Sequence, residues 1–267
     1  MSKEKFVFVV GDKFTEFGQH EQVVTLSGLN KLLRQEGFAT GASAIKLVAG
    51  QGISEADVQR IIDAAPHQAV DRQILLNHPV RASLRTTHKR RLHNSIISSP
   101  RQLSDKLYEV DLLVDERSEL MRDHQTGQHI QGMILVEAAR QMFLAVTEDF
   151  FIEQEAQRDY YFVINQMDVK YTAFVFPIGA LLRYEIIEQR TDDPDRLSFT
   201  AKISVLQAEV AATEVLVKFT AFLAANIKKK EHQQAMLTLQ KQQNLLARPL
   251  ALPLLAQGHG NGLPVAV

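Results

Sequence analysis

The sequence predicts an α+β chain: an antiparallel sheet wrapped around one long buried helix, preceded by a small α/β unit. Three observations carry this reading. The stretch from 123 to 144, "DHQTGQHIQGMILVEAARQMFL", ends in a run that is apolar almost all round, as in a helix buried on every side. Behind it lie four strand-like runs separated by short turns. Ahead of it, the first 80 residues alternate between strand and helix patterns.

In order along the chain, "KFVFVV" is β-branched and aromatic and stops at Gly11-Asp12, so it predicts a strand and a turn. "EQVVTLSGLNKLLRQEG" places Val23, Leu26, Leu29, Leu32 and Leu33 at helical spacing and stops at Gly37. "ASAIKLVAG" predicts a second strand. Ser54, with Glu55 and Asp57, opens a helix that Pro66 closes. The "GQG" at 50–52 lacks the further glycine of a dinucleotide fingerprint, so no such site is predicted. Residues 81–105 are polar and basic with no clean period, the texture of a connecting segment. From 106 the pattern changes: Tyr108, Val110, Leu112 and Val114 alternate with acidic residues, as in a half-buried strand. Four more strand-like runs follow the buried helix, broken by "FPIG", "TDDPD" and a short turn at Gln207–Glu209. The domains expected are therefore an α/β unit at 1–80, a connector at 81–105, a sheet-and-helix domain at 106–227, and a helical, partly disordered tail at 228–267.

Composition removes several function classes. The formal net charge is −1, which recruits neither nucleic acid nor an anionic membrane. Lys228–Lys230 has no interleaved aromatics and reads as a solvated helix start. There is no cysteine, which excludes thiolate nucleophiles and zinc–cysteine sites. The N-terminal apolar run is too short for a signal-peptide core, and no run approaches the roughly 18 residues of a membrane span. A cytoplasmic protein is expected.

The chemistry sits in the opening stretch. Glu137, Arg140 and Gln141 interrupt an apolar helix at spacings that put them on one face. A buried charge must be paired, so a structural Glu137–Arg140 ion pair is one reading. The loop in front favours a site. It holds Asp123, His124 and His129 among glycines, and it feeds a helix N-terminus whose first N–H groups attract anionic or carbonyl oxygens. Gly132 and Met133 would offer those amides to such an oxygen, and Glu137 stands one turn further on with Arg140 beside it. Lys89 and Arg90, in "HKRRLH", would seat a phosphate. No metal is expected, because the two histidines and Asp123 have no matching second cluster. No cofactor is expected either. Asn165, Gln166 and Asp168 lie on a strand expected to face the helix.

The order of a strand, "HxxGxH…GMxLVEAARQ", a buried helix and antiparallel strands resembles the hotdog fold. Within it, "EAARQ" resembles the A-factor biosynthesis hotdog family, the AfsA-like proteins. The likeness runs from "THKRRLHNSIIS" at 87–98, similar to that family's "VHK" entry segment, to about Ala225. It implies an acyltransferase: a β-ketoacyl group moves from a carrier-protein or coenzyme A thioester to the hydroxyl of dihydroxyacetone phosphate, toward a butyrolactone-like signalling molecule or a related secondary metabolite. In that scheme Glu137 and Arg140 match the family's polar pair and Gln141 stands beside the substrate. Chains of this family commonly carry two such halves, and one "EAxRQ" is present here, so a homodimer is expected to restore the pair. A more distant likeness is to hydroxyacyl-carrier dehydratases, whose loop histidine and helix carboxylate work together, and a dehydratase or thioesterase using His124 or His129 with Glu137 is a further reading. A non-catalytic acyl-ligand-binding or partner-docking protein is the third reading.

Overall fold

A computed structural model of the chain describes residues 5–34, 45–64, 70–71, 75, 78–123, 126–152 and 159–247. Those up to Leu223 form one compact unit, and those from Ala224 onward form another.

The first unit contains two sheets. The smaller is parallel, in the order β2-β1-β3-β4, from β1 (Lys5–Val10), β2 (Val23–Thr25), β3 (Ile45–Ala49) and β4 (Val70–Asp71). Helices α1 (Leu26–Leu33) and α2 (Glu55–Ala64) bury Leu29, Val58 and Ile61 in one cluster with Val9 and Leu47 of the strands. The single helix predicted across 21–37 is a strand followed by a helix. Val23, Val24 and Thr25 are β-branched and extend beside β1. The Thr25 hydroxyl then caps α1 by accepting from the Gly28 N–H at 3.2 Å. Ser54 and Asp57 form a reciprocal cap on α2: the Ser54 N–H donates to Asp57 Oδ2 at 2.8 Å, and the Asp57 N–H donates to Ser54 Oγ at 3.2 Å. The stops expected at Gly37 and Pro66 lie outside the described residues.

The larger sheet is antiparallel, in the order β5-β6-β8-β9-β10-β7. Its strands are β5 (Arg101–Ser104), β6 (Leu107–Asp111), β7 (Tyr160–Tyr171), β8 (Leu181–Arg190), β9 (Arg196–Gln207) and β10 (Val210–Leu223). Alternate residues of β9 and β10, among them Ala201, Ile203, Val215 and Val217, point into the core. The β9–β10 turn sets Ala208 and Glu209 at φ 48° and 66°, the left-handed pair of a type I′ hairpin. The 19-residue helix α3 (Gly132–Phe150) lies in the curve of this sheet. Its Phe143 stacks on Phe219 with ring centroids 4.4 Å apart, and Phe219 stacks on Phe199 at 5.2 Å. Burying each such ring contributes about 1.5–3 kcal/mol. The fold is a hotdog sheet around its helix, with a small α/β unit ahead of it.

Residues 81–105, expected as a connector, are packed: Thr87, Ser95 and Ile97 are fully buried and the last residues form β5. The buried Arg81 guanidinium donates to Glu55 of α2 at 2.5 Å and to the Leu113 carbonyl at 2.6 Å. Gln51, from the discarded "GQG", bridges the sheets: its amide donates to the Leu112 carbonyl and its oxygen accepts from the Val114 N–H, at 2.9 and 2.7 Å. Asn165, Gln166 and Asp168 do not face the helix; all three are exposed, while their neighbours Met167 and Val169 pack on the core. The second unit contributes α4 (Ala224–Leu246), and the tail beyond Ala247 lies outside the described residues. No helix among the described residues is long and apolar enough to cross a membrane.

Candidate functional site

Helix α3 is buried all round only in its later turns. Near its start one face opens: Met133 is 63% exposed, and Val136, Glu137 and Arg140 are half-buried behind it. These positions recur at three and four residues, so they form one stripe.

Around the helix start lies a cavity of about 740 Å³, walled by Thr126 and residues 129–133 on one side and 171–175 on the other. It brings together His129, Gly132 and Met133 of the sequence-predicted site. Tyr171 lies over the first turn so closely that a Cβ on Gly132 would sit 2.8 Å from its ring, which is why glycine stands there. Phe174, 67% exposed, lines the opposite wall, its ring 4.7 Å from that of His129. The helix has no side-chain cap, because Gln131 at the N-cap does not bond back to it. The Gln131 Nε2 group is buried and has no hydrogen-bond partner among the described residues. Sequence reasoning passed over Gln131. A glutamine just before a helix, where Ser, Thr, Asp or Asn would cap, was the available signal. An uncapped helix start with an unsatisfied amide donor beside an apolar cavity can receive a carbonyl or oxyanion oxygen.

One turn further on, Glu137 makes three contacts, all through Oε1. Lys89 Nζ is 2.6 Å away, Gln141 Nε2 donates at 3.0 Å, and Arg140 Nη1 is 3.4 Å away. The dominant ion pair is therefore with Lys89 and not with Arg140, whose side chain is 35% exposed against 24% for Lys89. The Glu137–Arg140 pair, one structural reading of the sequence, lies between interior and surface, its side chains 17% and 35% exposed, because the helix face it occupies is the open one. Gln141 sits away from the cavity. Fully buried, it accepts from the Ile96 N–H at 2.8 Å and donates to the Asn94 carbonyl at 2.8 Å, tying residues 94–96 to the helix. Its amide holds Glu137 in place.

Lys89 reaches Glu137 through a tight turn. The Lys89 N–H donates to the Leu84 carbonyl and the His88 N–H to the Arg85 carbonyl, the two bonds of a Schellman closure. His88 takes the left-handed position, φ 54°, where glycine is usual. Its ring Nε2 lies 2.9 Å from Glu148 Oε1, three turns along α3 from Glu137. One loop thus grips the helix at two carboxylates. Next to Glu148, burial holds the Asp149 carboxyl above the usual carboxylate range against the pull of Arg85. Arg90 points outward, exposed. His124 lies outside the described residues. His129 makes no hydrogen bond to Glu137; its backbone N–H donates to Thr126 Oγ1 at 3.1 Å. Among the described residues no three His, Asp or Glu groups are placed to hold a metal.

Residues 75–223, more than half of the chain, match the model of the A-factor biosynthesis hotdog domain. No curated protein matches. Among solved structures, a mutant thioesterase of Pseudomonas aeruginosa aligns at 12% identity and TM-score 0.35, over 47% of this chain and 81% of its own. A thioesterase of Haemophilus influenzae aligns at 13% identity and TM-score 0.36, over 49% of this chain and 80% of its own.

Proposed function

The chain belongs to the A-factor biosynthesis hotdog family, and from that premise we propose that it acts on acyl thioesters, transferring a β-ketoacyl group to an acceptor hydroxyl. The observation that carries this is the uncapped start of α3 with the buried, partnerless Gln131 amide, opening on a largely apolar cavity one turn from a carboxylate. The thioester carbonyl lies at the Gly132 and Met133 N–H groups and Gln131 Nε2, and the acyl chain lies against Met133, Tyr171 and Phe174. Glu137, about 6 Å along the helix from Met133, takes the proton of the acceptor hydroxyl as its oxygen attacks the carbonyl carbon. The intermediate collapses with cleavage of the C–S bond, and the thiol leaves with the proton that Glu137 returns. Lys89, with the exposed Arg90 beside it, receives a phosphate on the acceptor, such as that of dihydroxyacetone phosphate. The thioester comes from an acyl carrier protein or coenzyme A, and the product is a precursor of a butyrolactone-like signal or a related secondary metabolite. The protein works as a homodimer.

A non-catalytic acyl-binding role has its own support in the crowding of three donors on Glu137 Oε1, which would serve a helix anchor equally well. Product masses decide. Incubation with β-ketoacyl thioester and dihydroxyacetone phosphate gives the acyl ester under the transfer reading. Free acid alone indicates a thioesterase, and unchanged thioester indicates the binding role.

A further inference from the structure

Residues 11–22 join the parallel neighbours β1 and β2. Such a join usually returns across its own sheet. Here it reaches over to the loop that precedes α3. Lys13 Nζ donates to the Met121 carbonyl at 2.7 Å, and the Phe17 N–H donates to the Gly127 carbonyl at 3.1 Å. His20 Nε2 meets Gln128 Nε2 at 3.4 Å. The Phe17 ring stacks on Phe176, centroids 5.7 Å apart and planes 19° apart. Gly127, at φ 73°, lies so close to Glu16 that a Cβ there would stand 3.1 Å from the Glu16 carboxyl carbon.

The contacts of Phe17 and His20 fall on residues that adjoin both walls of the cavity at the start of α3. Gly127 and Gln128 lead directly into His129 and Ile130, and Phe176 follows Phe174 and Val175. The walls are also sewn to each other, since the Ile130 N–H donates to the Val175 carbonyl at 2.7 Å. Phe17 therefore sits behind the seam where the two walls meet, and the spacing of the walls depends on it.

We infer that the N-terminal α/β unit sets the acyl selectivity of the site, with Phe17 as a positioning residue that holds the 129–130 and 174–175 walls in register from behind. This rests on the reading of that cavity as the acyl site. Phe17 touches no substrate and acts through His129 and Phe174.

The test uses the full chain. In Phe17→Ala the walls lose their common backing, so KM for a medium-chain β-ketoacyl thioester rises about tenfold with kcat nearly unchanged, and the preference across short, medium and long chains flattens. Phe17→Leu, which keeps an apolar filler, restores the preference. The His129 ring-proton resonances, set by the adjacent Phe174 ring, move in Phe17→Ala and return in Phe17→Leu. Leu29→Ala is the control. It opens the α/β core away from the loop, so it lowers the melting temperature while leaving the His129 signals and the chain-length profile in place. Unmoved His129 resonances in a folded Phe17→Ala would overturn the inference, as would an equal change in Leu29→Ala. If no thioester is turned over by the parent protein, the resonances still test the positioning role, so failure of the acyl-transfer reading is seen separately.

Discussion

Replacing Glu137 with glutamine removes the charge from a carboxylate that meets Lys89 at 2.6 Å and Arg140 at 3.4 Å, and leaves its volume unchanged. The two cations are not stranded equally. Lys89 is 24% exposed and Glu137 17%, so their contact lies between the surface and interior cases. Exposed pairs contribute about 0–1 kcal/mol and breaking a buried pair costs about 3–5, which puts the loss of the Lys89 contact near 2 kcal/mol. The more exposed Arg140 is well solvated, and its share is under about 1 kcal/mol. Stability should therefore fall by about 2–3 kcal/mol in Glu137→Gln. It should mostly return in Glu137→Gln with Lys89→Met, where the less exposed cation is removed with its partner and only the solvated Arg140 remains, and not in Glu137→Gln with Arg140→Met. Urea denaturation of the four variants of the Glu137–Lys89 cycle measures the coupling directly. Turnover follows a different course. Without a proton acceptor it drops by roughly 10²–10⁴ and stays down in the stabilised double variant. Recovery of turnover together with stability would refute the general-base role and leave Glu137 as a helix anchor.

Gln131→Ala should lower kcat by about 10² with little change in melting temperature, because it deletes an oxyanion donor whose Nε2 has no hydrogen-bond partner among the described residues; steady-state kinetics with the thioester check this. Stability should also depend on His78. Burial, foremost, holds its imidazole below the usual range, outweighing the opposing pull of Glu55. A depressed histidine means the unfolded chain binds more protons, so its contribution is intact above about pH 6.5 and is lost as pH falls below that value. Urea midpoints between pH 5 and 8 should show this slope, and His78→Gln should flatten it. Sedimentation should find a dimer, because β7 is a long edge strand with exposed Tyr161 and Ile164, which a second copy would cover. A stable monomer at micromolar concentration would contradict it.

The antiparallel sheet was legible because β6, β8, β9 and β10 each bury one face, and period-2 alternation writes that face into the residues. The buried helix was legible for the same reason, from the apolar surround of "EAARQ". Strand β5 was not, since Arg101–Ser104 is exposed on both faces and carries no alternation. Strand β2 was hidden because Val23 also fits the helical spacing that begins at Leu26. Of the site, the helix face and the glycine loop could be read locally. The Lys89–Glu137 pair joins residues 48 positions apart through a left-handed His88, and no local pattern encodes such a turn in the absence of glycine. The grip of residues 13–20 on the loop before α3 is partly through backbone groups, which every residue type presents alike.

Transfer by this route requires that an acyl thioester present its carbonyl to the start of α3. Amide resonances of Gly132 and Met133, followed while a non-reactive thioether analogue of a β-ketoacyl thioester is added, report on that contact. Saturable downfield shifts of both amides, together with the side-chain amide of Gln131, are the expected result. Saturable binding that leaves those three groups unmoved would contradict it.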